Sequence, residues 1–67
     1  MRVTVNGVAQ DLPDGMTASQ LLETMRLLPA RVAVERNLAI VPRAQFGTLR
    51  LQAGDQIEII SFVGGGK

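Results

Sequence analysis

The chain has 67 residues and a formal net charge of +1, and it contains no cysteine, histidine, tryptophan or tyrosine. This length allows one small domain, and the small charge gives no long-range attraction to nucleic acid or to an anionic membrane. Without cysteine and histidine, the chain lacks disulfides, the usual zinc ligands, the usual thiol nucleophile and the commonest general base.

The groups that remain for catalysis are six carboxylates, six arginines and one lysine, scattered singly along the chain. We therefore expect no catalytic side chain and no metal site, and an enzyme that acts alone is the least favoured class. Phe46 and Phe62, the only aromatic residues, form no basic-aromatic pattern for stacking bases. No segment resembles a transmembrane helix or a signal peptide. These absences predict a cytoplasmic protein that binds neither nucleic acid nor membrane.

The first predicted element is a β-hairpin. Residues 2–5 alternate polar and apolar side chains, as a half-buried strand does. Asn6-Gly7 follows, and this dipeptide favours a type I′ turn, in which both central residues need positive φ. Residues 8–12 are the predicted return strand, and Pro-Asp-Gly at 13–15 is a turn.

An amphipathic helix is predicted next, over about residues 18–28. Thr17 is a good N-cap, and Gln20 stands where a capping box requires it. Apolar residues recur at helical spacing and are interpreted as core: Leu21, Leu22, Met25 and Leu28. Pro29 cannot continue a helix and ends it.

Two short strands and a helical turn follow. Residues 32–35 are β-rich, 36–38 form a predicted turn, and 39–41 form a short return strand. Pro42 removes a ladder donor, so this strand should lie at an edge or an end of the sheet. Residues 44–48 are predicted to form one helical turn that packs its phenylalanine on the core.

The last predicted strand covers residues 56–61, after a turn at 53–55 in which Asp55 is interpreted as a turn residue. The apolar pair Ile59 and Ile60 predicts a strand covered on both faces over part of its length. Strands with one helix between them indicate an α+β fold, a mixed sheet with the helix across one face. With a right-handed crossover, this is the arrangement of the β-grasp, or ubiquitin-like, fold. Composition alone leaves other small α+β topologies open.

A run of three glycines closes the chain before Lys67. Glycine has no side chain to pack and the greatest backbone freedom. We therefore assign residues 1–63 to the domain and residues 64–67 to a flexible tail, and expect low NMR order parameters for the glycines. Such a tail fits a narrow channel in a partner, because no Cβ atom obstructs it. Simple fraying or a cloning remnant is the alternative.

Over its whole length, the chain resembles the small sulfur carrier proteins of thiamine biosynthesis, the ThiS family. Three segments carry the resemblance. They are the Asn6-Gly7 hairpin, the sequence VERNLAIVPR at residues 34–43, and the sequence at residues 51–66, where Gly-Asp precedes a strand and glycines follow it.

The resemblance implies a definite chemistry. An E1-like adenylating enzyme, using ATP and Mg²⁺, activates the terminal glycine carboxylate. A sulfur donor, a cysteine desulfurase or a similar enzyme, converts the acyl-adenylate to a thiocarboxylate, and the carrier passes this sulfur to a thiazole synthase. The carrier binds no cofactor itself. It needs a docking surface, which we assign to Phe62 and Val63, and a slim tail, Gly64 and Gly65.

The chain departs from the family pattern at its last residue. The family's reactive end is a terminal glycine, whereas here Lys67 follows Gly66. Lys67 is removed before activation, or is an added residue, or marks an inactive chain, and we favour the first two. Once Lys67 is removed, the reactive carboxylate belongs to Gly66.

Other interpretations stay open. The small subunit of molybdopterin synthase usually carries Pro-Pro before its glycines, and residues 60–63 contain no proline. A carrier for tRNA thiolation or another sulfur product is also possible, as is a non-catalytic β-grasp interaction domain with an inert tail. Arg36 and Arg43 are interpreted as solvated turn charges, with contact to an acidic patch of the activating enzyme as the alternative.

Overall fold

A computed structural model describes residues 1–62 of the chain. Along the chain, one helix, α1 (Ala18–Thr24), follows the first two strands. Two more strands and then a last strand come after it. The strands are β1 (Arg2–Val5), β2 (Val8–Asp11), β3 (Val32–Arg36), β4 (Ala39–Ile40) and β5 (Gln56–Ser61). Short 3₁₀ turns cover Pro29–Arg31 and Arg43–Gln45.

The strands form one mixed sheet in the order β2-β1-β5-β3-β4. The C-terminal strand β5 therefore lies in the middle, parallel to β1 and antiparallel to β3. The turn between β1 and β2 has the predicted positive φ values, 50° at Asn6 and 82° at Gly7. The predicted mixed sheet with one helix is confirmed.

The hydrophobic core lies between α1 and one face of the sheet. Strand residues that alternate along β1, β3 and β5 supply that face: Val3, Val5, Val32, Val34, Ile57 and Ile59. Leu21 and Leu22 of α1 pack with them, and Phe46 is buried there as predicted. The prediction that β5 is covered on both faces is wrong. Ile59 is 8% exposed and Ile60 is 51% exposed, because successive side chains in a strand point to opposite faces.

Helix α1 ends at Thr24 rather than near residue 28. Arg26 takes a left-handed φ of 59°, and its N–H donates to the Glu23 carbonyl at 3.0 Å. The Leu27 N–H donates to the Leu22 carbonyl at 2.9 Å, which completes a Schellman motif. Glycine is the usual residue at the left-handed position, so an arginine there gave no stop signal. None of the helices in residues 1–62 has the length and apolar character needed to cross a membrane.

The N-terminus of α1 carries the predicted capping box. Thr17 Oγ1 accepts from the Gln20 N–H at 3.2 Å, and Gln20 Oε1 accepts from the Thr17 N–H at 2.9 Å. We expect Thr17→Ala to lower the free energy of unfolding by about 1 kcal/mol, which corresponds to roughly 4–8 °C in Tm for a domain of this size. Thr17→Ser keeps the acceptor oxygen and is the control. Equal Tm values for the alanine and serine variants would show that the cap contributes nothing.

Candidate functional site

The tail leaves the domain from the end of the central strand. The Phe62 N–H donates to the Arg31 carbonyl at 2.8 Å, so pairing with the β3 side continues one residue beyond β5. The predictions for Val63, for the glycines 64–66 and for Lys67 concern residues outside the described part of the chain. The structure thus shows the base of the proposed tail, which is Phe62 directly after β5.

An exposed apolar surface lies beside this base, on the sheet face away from α1. Ile60 and Phe62 are two residues apart, so strand alternation puts them on one face, and they are 51% and 52% exposed. Ala33 of β3 lies directly opposite Ile60. Phe62 is not part of the buried core, which leaves its ring available to a partner.

Two carboxylates continue the same face toward the middle of the sheet. Glu35 and Glu58 are directly opposite each other in the β3–β5 pairing, and neither takes part in an ion pair within residues 1–62. Like charges placed opposite each other on neighbouring strands are destabilising. The outer face therefore combines an apolar end next to the tail with an acidic middle.

Asn6 supports β5 from the β1 side. Its N–H donates to the Ile57 carbonyl at 2.9 Å, and its side-chain Oδ1 accepts from the Ile59 N–H at 2.7 Å. The sequence identified Asn6 only as a turn residue. The second role was missed because its partner lies 53 positions further along the chain.

Asp55 is buried at the start of β5, with 5% of its surface exposed. Its carboxylate accepts from Asn37 Nδ2 at 3.1 Å and from the Gln52 N–H at 2.8 Å. Arg36 Nε lies 2.9 Å from Asp55 Oδ2 in an ion pair, although this buried nitrogen lacks the alignment of a hydrogen bond. Asn37 also accepts from the Gln56 N–H through its Oδ1 at 2.9 Å. The interpretation of Arg36 as a solvated turn charge is therefore wrong, and Asp55, besides forming a turn, links that turn to residues 36–37 through its carboxylate.

Arg43 is exposed, yet its guanidinium makes two defined contacts. Nε donates to the Pro29 carbonyl and Nη2 to the Val32 carbonyl, both at 2.9 Å. These two carbonyls lie on either side of Arg31, whose own carbonyl accepts from the Phe62 N–H. The interpretation of Arg43 as a solvated turn charge is corrected accordingly: Arg43 holds the segment on which the base of the tail rests.

Comparison with known proteins identifies the family. The model of the ThiS family matches residues 3–66. Sulfur carrier protein ThiS of Escherichia coli is 35% identical over 66 residues, which cover 98% of this chain and 100% of that protein. A thiazole synthase of Magnetococcus marinus is 42% identical over 67 residues, 100% of this chain, but the chain spans only 21% of that protein's length.

A solved structure agrees with this assignment. The crystal structure of thiamine biosynthesis protein ThiS from Geobacter metallireducens is similar, with a TM-score of 0.81 and 30% identity. The match covers 98% of this chain and 100% of that one. The fold is therefore the expected ubiquitin-like β-grasp. The chain belongs to the ThiS family, the sulfur carrier proteins of thiamine biosynthesis.

Proposed function

We propose that this chain carries sulfur as a thiocarboxylate on Gly66 and donates it for thiazole formation, as a co-substrate rather than an enzyme. An E1-like enzyme uses ATP and Mg²⁺ to join the carboxylate to AMP, with pyrophosphate as the leaving group. Hydrosulfide then attacks the acyl carbon and AMP leaves, which gives the thiocarboxylate directly. Where the donor is a cysteine desulfurase, its persulfide displaces AMP to form an acyl disulfide, and a thiol reductant cleaves the S–S bond to leave the thiocarboxylate. The acceptor is a thiazole synthase. We expect these ATP-dependent steps to take place in the cytoplasm.

One observation carries the proposal: a fixed strand leads directly into a glycine run. Strand β5 lies in the middle of the sheet, and the Phe62 N–H is held by the Arg31 carbonyl. A carboxylate is a poor electrophile until a good leaving group is attached, so both reactive steps belong to partners. The carrier needs only to present its terminus, which suits a chain that has neither histidine nor cysteine.

We assign partner docking to Phe62 and Val63, with Ile60 as part of the same surface. The exposed side chains of Phe62 and Ile60 offer a partner apolar area that is lost from water on binding. The opposed carboxylates of Glu35 and Glu58 favour a partner that brings a cation to this face.

The direct test is intact-mass spectrometry. The chain ending at Gly66 is incubated with the activating enzyme, ATP and a sulfide source, and it should exchange one oxygen for one sulfur. Addition of thiazole synthase with its other substrates should then return the mass to that of the carboxylate. A mass that never changes would favour an interaction domain with an inert tail. Sulfur that is loaded but not accepted by thiazole synthase would point to another thiolation pathway.

We predict that no internal carboxylate is catalytic, since the chain has neither a histidine base nor a cysteine nucleophile for it to work with. The six single amide variants should each be activated within about tenfold of the parent, a difference of about 1.4 kcal/mol. They are D11N, D14N, E23Q, E35Q, D55N and E58Q. Rates are measured at a temperature at which circular dichroism shows each variant folded. A loss of several orders of magnitude in one folded variant would revive the interpretation as an enzyme.

A further inference from the structure

The second half of β5 has a strand neighbour on one side only. The pairing of β3 with β5 continues to Ser61, whereas the pairing of β1 with β5 stops at Ile57. On the β1 side, residues 59–61 therefore have no strand beside them in the described part of the chain, although β5 lies in the middle of the sheet.

The hydrogen bonds show which backbone groups face this open side. Successive residues of a strand direct their backbone groups to alternate sides. The Ile57 carbonyl accepts from the Asn6 N–H, so the odd-numbered residues of β5 face β1. The Ile59 N–H is taken by Asn6 Oδ1 at 2.7 Å. The groups that remain on this side without a partner in residues 1–62 include the carbonyl of Ile59 and the N–H of Ser61.

These two groups form the hydrogen-bonding pattern of a strand edge. An acceptor and a donor, two residues apart on one side of an extended chain, are what another extended backbone pairs with. Asn6 Oδ1 accepts from the N–H of Ile59, the donor that comes before these two groups, and the pairing with β1 ends at this point. The exposed side chains of Ile60 and Phe62 border the edge, and the edge lies immediately before the tail. The edge is therefore within reach of a protein that binds the tail.

We propose that an extended backbone segment of the thiazole synthase adds to the sheet here, beside residues 59–61 and in line with β1. The inference rests on the proposed function, because it assigns a docking mode to the same partner. That partner is favoured because the Magnetococcus marinus thiazole synthase contains a segment similar to this chain. The partner's N–H would donate to the Ile59 carbonyl, and its carbonyl would accept from the Ser61 N–H.

Amide hydrogen exchange measured by NMR tests the proposal on the unsubstituted chain ending at Gly66. The Ser61 amide should exchange at least about tenfold more slowly with thiazole synthase bound, since an added hydrogen bond protects it. The matched control is the Ala9 amide. Its strand, β2, is the end strand of the sheet, and by strand alternation its N–H points away from β1. Its exchange rate should stay unchanged.

Proline substitution provides a second measurement. Ser61→Pro removes the N–H proposed to bind the partner, and Ala9→Pro removes a free N–H at the other edge. Proline is tolerated at strand positions whose N–H is not used within the sheet. Ser61→Pro should weaken binding to thiazole synthase about tenfold or more, because the partner's carbonyl loses its donor, and Ala9→Pro should leave binding unchanged.

The outcomes separate the two proposals. Thiocarboxylate formation is measured with the activating enzyme and without thiazole synthase, so it tests the proposed function separately from strand addition by thiazole synthase. If the chain is loaded with sulfur and binds thiazole synthase while the Ser61 amide exchanges at its free rate, strand addition is overturned and the carrier function stands. Loading without any binding to thiazole synthase also overturns strand addition. Absence of loading contradicts the carrier function itself.

Discussion

Removing Lys67 is expected to raise the rate of thiocarboxylate formation by about a hundredfold or more. An adenylating site must bring the α-phosphate of ATP within bonding distance of one carboxylate. One extra residue displaces the terminal carboxyl group by up to about 3.5 Å, and a misplacement of about 1 Å can already cost a hundredfold in rate. The lysine side chain must also enter a channel that fits glycines. Intact-mass spectrometry of both forms, sampled over time, gives the two rates.

A third form separates chain length from side-chain bulk. Lys67→Gly keeps the extra residue and removes the side chain, so it should remain slower than the chain ending at Gly66. A Lys67→Gly form as fast as the Gly66 form would show that only the side chain obstructs activation. If the full chain with Lys67 gains sulfur as fast as the Gly66 form, the argument for a terminal glycine is wrong for this protein.

The parts of the fold that the sequence predicted depend on neighbouring residues. Asn6-Gly7 marks a turn whatever the rest of the chain does, and Thr17 with Gln20 marks a helix start within four residues. The family resemblance contributed the tail chemistry, which no local pattern contains. The comparisons show the family, with a match over residues 3–66, and the tail chemistry is a proposal.

The features that the sequence did not predict depend on distant contacts or on residues in unusual conformations. Nothing near Arg26 signals its left-handed φ. The bond between Asn6 and Ile59 joins positions 53 residues apart, so only the assembled sheet reveals it. The exposed face of Ile60 was missed for a related reason, since two adjacent apolar residues do not tell which face lacks a cover.

Loss of the Asp55 carboxylate should destabilise the fold more than any other single change considered for residues 1–62. A protein of 67 residues has a total stability of about 3 to 10 kcal/mol. Asp55→Ala leaves the donors of Asn37 and Gln52 unpaired and leaves Arg36 without its counter-charge, with 23% of its side chain exposed. Breaking a buried ion pair from one side costs about 3–5 kcal/mol. Since Arg36 keeps some contact with water, we expect the lower end, about 3 kcal/mol.

The chain contains a matched control for this prediction. Asp11 also pairs with an arginine, Arg2, at 3.2 Å, but 75% and 70% of these side chains are exposed. Water screens such a surface pair, so Asp11→Ala should change the free energy of unfolding by less than about 1 kcal/mol. Urea unfolding of both variants, followed by circular dichroism, gives the comparison. If the two variants lose the same stability, the burial of Asp55 is not what makes its ion pair important. If only Asp55→Ala is strongly destabilised, this carboxylate stabilises the start of β5, the strand from which the tail extends.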